Sequence, residues 1–184
     1  MRGLTRLLWM EQNRHPGDRQ RLFAAVHETV QASQVLYPGS FVDVAPSFVS
    51  PSVTYVDTDQ RAVRFFADTA GVDEIIAENR ESVFDTTWRF LDADYESPLD
   101  VPQGGIDLLI SLYTGFVSEH CTDYLAPGGF LLVNPSHGDV AMASIDPRYR
   151  LAAVVRCRSG CYTVDDANLD TYLVPKKSTD LTAD

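Results

Sequence analysis

Short runs of β-branched and apolar residues alternate along this chain with longer stretches whose apolar residues recur at helical spacing. That alternation is the pattern of βαβ units, and it points to a parallel sheet covered by crossover helices. The runs at 34–37, 53–56, 87–91, 106–112 and 130–133 have the length and composition of buried strands. Between them, Leu22, Val26 and Val30 stripe a helix expected over 18–32. Ala62, Val63, Phe66 and Ala70 stripe another behind the cap residue Asp59, and Val72, Ile75 and Ile76 a third over 71–82. Phe116, Val117, Cys121, Tyr124 and Leu125 share a helical face over 115–125, which Ala126-Pro127-Gly128-Gly129 should stop. Pro46 and Pro51 limit any helix within 40–52 to a short or kinked piece. Residues 151–155 and 171–174 read as strands with no crossover between them, so they should pair antiparallel at the sheet edge. The expected fold is a three-layer, doubly wound α/β sheet, mostly parallel, of about seven strands with an antiparallel C-terminal edge hairpin.

A chain of 184 residues suits one hydrophobic core. The expected division is an N-terminal segment 1–17 without a clear pattern, a domain 18–175 and a polar tail 176–184. A net charge of -11 opposes binding to phosphate backbones, so nucleic acid is not an expected partner. No apolar run approaches the roughly 20 residues that span a bilayer, and residues 1–10 are too interrupted for a secretory leader. No membrane partner is expected, and the cytoplasm is the expected compartment. Cys121, Cys157 and Cys161 lack the paired spacing of a zinc site, so no metal is expected. Cys157 and Cys161 flank the turn Arg158-Ser159-Gly160, where they either face each other or serve as reduced packing thiols.

In an open α/β sheet, ligands gather at the carboxyl ends of the strands. Pro38-Gly39 ends the first run in a turn where glycine lets a ligand approach the main chain, although a plain tight turn has the same look. Asp57 ends the second run 18 positions after Gly39, close to the spacing at which nucleotide folds place a ribose-binding carboxylate. Asp59 already suits the helix cap, which frees Asp57 for a ligand. Asp92 and Asp94 follow the third run, and Ser111 and Tyr113 end the fourth. Tyr113, Asn134 and His137 are polar groups near strand ends, and none of them is singled out as catalytic.

A strand, a glycine turn, an acid at the second strand tip, an acid after the third strand and Pro127-Gly128-Gly129 before the fifth stand in that order. Over residues 18–175 this order resembles the class I, Rossmann-like S-adenosylmethionine-dependent methyltransferases. The stretch 125–133 is the most specific part. The first turn, Tyr37-Pro38-Gly39-Ser40-Phe41-Val42, keeps only Gly39 of the family's acid followed by Gly-x-Gly-x-Gly. The resemblance implies S-adenosylmethionine, or S-adenosylhomocysteine as product, with a small-molecule or protein methyl acceptor. It places Tyr37, Gly39 and Ser40 at the first turn, Asp57 on the ribose, Asp94 near the adenine amino group and Tyr95 against the ring. Ser111 and Tyr113 then stand at the strand end that faces the methyl group. Two other readings stay open. Tyr37 in place of an acid and Phe41 in place of glycine suit an inactive binding or regulatory protein on the same scaffold. A nicotinamide-dependent oxidoreductase would need glycines where Phe41 and Val44 stand.

Overall fold

The computed structural model describes residues 2–80 and 85–174, and in it the five runs form one parallel sheet of order β3-β2-β1-β4-β5. The strands are β1 (Gln34–Pro38), β2 (Ser52–Asp57), β3 (Thr87–Asp92), β4 (Ile106–Ser111) and β5 (Leu125–Val133). Central strands covered on both faces need apolar residues at successive positions, and Val35 to Pro38 in β1 and Val53 to Val56 in β2 are all buried. The edge strand β3 instead alternates between exposed and half-buried residues.

Side chains of period two divide the core. Val35, Tyr37, Val53, Tyr55, Leu108 and Ile110 meet Phe48, Phe65 and Phe66 on one face of the sheet. Leu36, Val56 and Leu109 meet Val117, Cys121 and Tyr124 on the other. On the first face Phe66 stacks on Phe90 at 4.4 Å and on Tyr55 at 5.1 Å between centroids, so ring contacts tie the helical layer to β2 and β3.

The segment before residue 18 adds a helix to that core. Helix α1 (Arg2–Gln12) packs on α3 (Gln60–Ala67) and α4 (Thr69–Asn79), burying Leu8 and Trp9. Helix α2 (Asp18–Val30) lies between α1 and β1 in the chain. The helix expected behind Asp59 breaks at Asp68, whose carboxylate accepts from the Gly71 N–H at 3.3 Å and from the Thr5 hydroxyl at 2.7 Å. One acidic side chain thus caps α4 and pins α1. Of the helix expected over 71–82, residues 81 and 82 lie outside the described residues, as does the tail 176–184.

Several expectations change at the C-terminal side. Seven strands and an antiparallel C-terminal hairpin are present as expected, but the hairpin is not at the sheet edge: it is a separate two-stranded ribbon of β6 (Val154–Arg158) and β7 (Cys161–Asp165) beside a sheet of five. Ser159 at φ +53° and Gly160 at φ +77° make a two-residue turn with both central residues left-handed, which closes the ribbon there. Residues 171–174 form no strand. The ribbon lies on α2, where Tyr162 donates to Asp18 at 3.0 Å and Arg21 donates to the Gly160 carbonyl at 2.8 Å. The helix expected over 115–125 is only α5 (Val117–Cys121), followed by a short 3-10 turn. Ala126-Pro127-Gly128-Gly129 lies inside β5 as an irregularity, where the register with β4 shifts between Ile106 and Leu108 and Gly128 takes φ +83°. The last helix is α6 (Asp139–Ile145). No helix among the described residues is long and apolar enough to cross a membrane.

The hairpin register pairs Cys157 with Tyr162 and Arg158 with Cys161, so the two thiols belong to opposite faces of the ribbon, and both are exposed. The packing thiol is Cys121, fully buried, whose pKa is pushed up to about 12 by burial and then by nearby Asp139. Since the thiolate is the reactive form, titration of the folded protein with a thiol reagent at pH 8 should label Cys157 and Cys161 promptly. Cys121 should react only after denaturant is added. Prompt labelling of all three would contradict this packing.

Candidate functional site at the carboxyl end of the sheet

Beyond β1 the chain turns at Gly39, which has φ +64° and donates its N–H to the Val56 carbonyl at 2.8 Å. A β-carbon at this position would meet the Thr114 side chain, with its Cβ only 2.7 Å away. Conformation and space therefore both call for glycine. Two residues on, Phe41 also takes a left-handed conformation, φ +48°. For a residue with a side chain that geometry costs about 1–2 kcal/mol. Asp57 holds it there: Oδ2 accepts from the Phe41 N–H at 2.7 Å while Oδ1 accepts from the Asp59 N–H at 2.8 Å. Each carboxylate oxygen keeps further acceptor capacity. The Phe41 ring packs on the core with the Arg61 guanidinium 4.7 Å from its centroid, and it does not line the pocket described below.

Behind this loop lies a buried charged cluster. Arg19 on α2 donates from Nε to Asp43 Oδ2 at 2.7 Å and from a terminal nitrogen to the Tyr37 hydroxyl at 2.8 Å. Asp43 also accepts from the Tyr37 hydroxyl at 3.3 Å and from the Ala45 N–H at 3.2 Å. Burial works against the Arg19 charge, yet Asp43 and Tyr37 more than offset it and hold its pKa above the ordinary value. Burial first, then Asp43, raises the Tyr37 pKa, so the phenol stays protonated.

The strand ends enclose a pocket of about 290 Å³. Of the residues expected at a ligand, Gly39, Asp57, Asp94, Tyr95 and Tyr113 line it. Tyr37, Ser40 and Ser111 do not: all three are buried, with Tyr37 committed to the charged cluster and the Ser111 hydroxyl to Asp139 at 2.5 Å. The lining is completed by Thr58, Ala93 and Thr114, each next in sequence to an expected residue. The strand-end rule names the tip but not how many residues past it the wall extends. Asp94 accepts from the Glu96 N–H at 3.0 Å through one oxygen, which shapes the turn after β3. Two carboxylates and no Lys or Arg line the pocket, so its field favours a cationic ligand.

Asp139 braces the end of β4. Fully buried at the start of α6, its carboxylate accepts from Ser111, from the Ser118 hydroxyl at 2.5 Å and from the Ser118 N–H at 3.1 Å. It thereby ties α6 and α5 to the end of β4.

Loss of either loop support should be measurable by urea unfolding. Asp43→Ala, which strands a buried guanidinium, should lower stability by about 3–5 kcal/mol. Gly39→Ala should lower it by about 1–3 kcal/mol through strain and the Thr114 contact. A change below about 0.5 kcal/mol in either variant, the level of an ordinary surface substitution, would contradict the assignments.

No protein-family model matches the sequence, and a search of curated proteins finds no match. Solved structures do match. A proposed S-adenosyl-L-methionine-dependent methyltransferase from Methanococcus maripaludis is similar with a TM-score of 0.54 at 11% identity, over 74% of this chain and 64% of that one. This chain therefore spans less than two thirds of that protein. A proposed O-methyltransferase from Klebsiella pneumoniae is similar with a TM-score of 0.52 at 15% identity, over 88% of this chain and 86% of that one. At such identities the likeness speaks for architecture alone. The chain has the Rossmann-like fold of class I S-adenosylmethionine-dependent methyltransferases.

Proposed function

We propose that the chain binds S-adenosylmethionine in the pocket at the strand ends and transfers its methyl group to a small-molecule or protein acceptor. The observation that carries this reading is Asp57: a carboxylate at the tip of β2, fixed by two backbone amides and lining a pocket that also contains Gly39. A carboxylate so held can accept both hydroxyls of a ribose, because its orientation is set before the ligand arrives. Asp94 has a second oxygen for an exocyclic amino group, and Tyr95 offers a ring face beside it.

Charge supports the same ligand. The bound cofactor supplies an electrophilic methyl carbon on a positively charged sulfur, and an acidic lining suits that charge. The same lining repels a pyrophosphate, which disfavours a nicotinamide dinucleotide, as do Phe41 and Val44 where that fold needs glycines. Methyl transfer asks mainly for alignment and a dry site. The departures from the family's first turn also find local explanations. The Phe41 ring is drawn under Arg61 and away from the pocket, and the acid missing at Tyr37 has a counterpart in Asp43 bonded to the Tyr37 hydroxyl. An inactive scaffold would bind the cofactor without turnover, so activity on an acceptor separates the two.

Calorimetric titration with S-adenosylhomocysteine should show a single site. Asp57→Ala should weaken binding about 10- to 100-fold, as expected for lost hydrogen bonds to a charged group. Because Asp57 also holds two backbone amides, Asp57→Asn, which keeps one acceptor oxygen, should fall between. Absent binding, or unchanged affinity in Asp57→Ala, would refute the assignment.

A further inference from the structure

We infer that the pocket recognises its ligand as a nucleoside, which rests on the reading of Asp57 above and specifies which half of the ligand is held. Adenosine nucleosides that lack the amino-acid chain, methylthioadenosine among them, then bind at least as tightly as S-adenosylhomocysteine. An amino-acid chain brings a carboxylate, and a carboxylate leaving water needs donors. Successive amides of a turn are a ready source of them. Here three successive amides are already committed. The Gly39 and Ser40 N–H groups both donate to the Val56 carbonyl, at 2.8 and 3.3 Å, and the Phe41 N–H donates to Asp57 at 2.7 Å.

Side chains do not replace those amides. Among the described residues, no Lys, Arg or His lines the pocket. The two arginines that touch residues of the turn are bonded to acids outside the lining: Arg19 to Asp43 at 2.7 Å, and Arg61 to Asp59 at 2.6 Å. Asp57 and Asp94 instead give the lining a negative field, which repels a carboxylate.

Space agrees with charge. A β-carbon on Gly39 would meet Thr114 Cβ at 2.7 Å and Cγ2 at 3.3 Å, so the Thr114 side chain covers the bare side of the glycine. The close approach that glycine permits is therefore taken up by the protein itself. A β-carbon on Gly115 would meet the Tyr95 hydroxyl at 2.6 Å, so the turn after β3 and the loop after β4 also close on each other. The resulting space of about 290 Å³ stands at the foot of the roughly 300–1,000 Å³ span of small-molecule sites. Its polar groups suit a ribose and a base: the Asp57 carboxylate for two hydroxyls, Asp94 for an exocyclic amino group and the Tyr95 ring beside it. Methylthioadenosine keeps each of these contacts. Its sulfur is a neutral thioether that donates no methyl group, so it occupies the site in competition with the cofactor.

The test is calorimetric titration of the full chain with methylthioadenosine and, separately, with S-adenosylhomocysteine. Methylthioadenosine should bind at least as tightly, or within about fivefold, because a carboxylate held by hydrogen bonds would add about 10- to 100-fold for S-adenosylhomocysteine. Each should displace the other, and Asp57→Ala should weaken both alike, with Asp57→Asn between for both. An advantage of more than about fivefold for S-adenosylhomocysteine, or a loss in Asp57→Ala confined to one ligand, overturns the inference and leaves the cofactor reading standing. Binding of methylthioadenosine alone supports nucleoside recognition and overturns the cofactor reading. Binding of neither overturns both.

Discussion

The Asp57 carboxylate bonds two pieces of backbone at once: the loop after β1, at the Phe41 N–H, and the approach to α3, at the Asp59 N–H. Both bonds are short charge-assisted contacts, the strong kind for a partly buried acid. They fix the left-handed turn at Phe41, and with it the path of the chain away from Gly39. The shape of the pocket wall between β1 and β2 follows from that one side chain.

The loop is braced from beneath by the Arg19–Asp43 pair, whose acid is fully buried. A buried ion pair is weak evidence for stability, since desolvation takes back most of the attraction. Its effect here is positional. Arg19 reaches from α2, and Asp43 and Tyr37 belong to the loop and to β1, so the cluster sets the distance between a helix and the strand whose end forms the pocket. The family that the chain resembles places glycines and an acid in this stretch, where this chain has Tyr37, Phe41 and Asp43.

Strand positions were legible because buried parallel strands carry an apolar signal at nearly every residue, as in 53–56 and 106–112. Asp57 and Gly39 were legible because strand-tip acids and turn glycines stand at characteristic spacing. Helix α1 escaped notice for a physical reason: Leu4, Leu7 and Met10 are exposed while Leu8 and Trp9 are buried, so the apolar residues do not mark one face. The hairpin was misplaced because β6 and β7 carry charged and exposed residues, leaving 171–174 as the more strand-like run. The burial of Tyr37 and Ser111 could not be read either. It depends on Asp43 and Asp139 returning from 6 and 28 residues away, which only the folded chain brings about.

The most direct measurement of the central claim is a crystal structure of the chain with S-adenosylhomocysteine. The account predicts both ribose hydroxyls on the Asp57 carboxylate, the adenine between Asp94 and Tyr95, and the Phe41 and Asp59 amide contacts retained. A ligand bound elsewhere, or a ribose that leaves Asp57 bonded only to backbone, would contradict it.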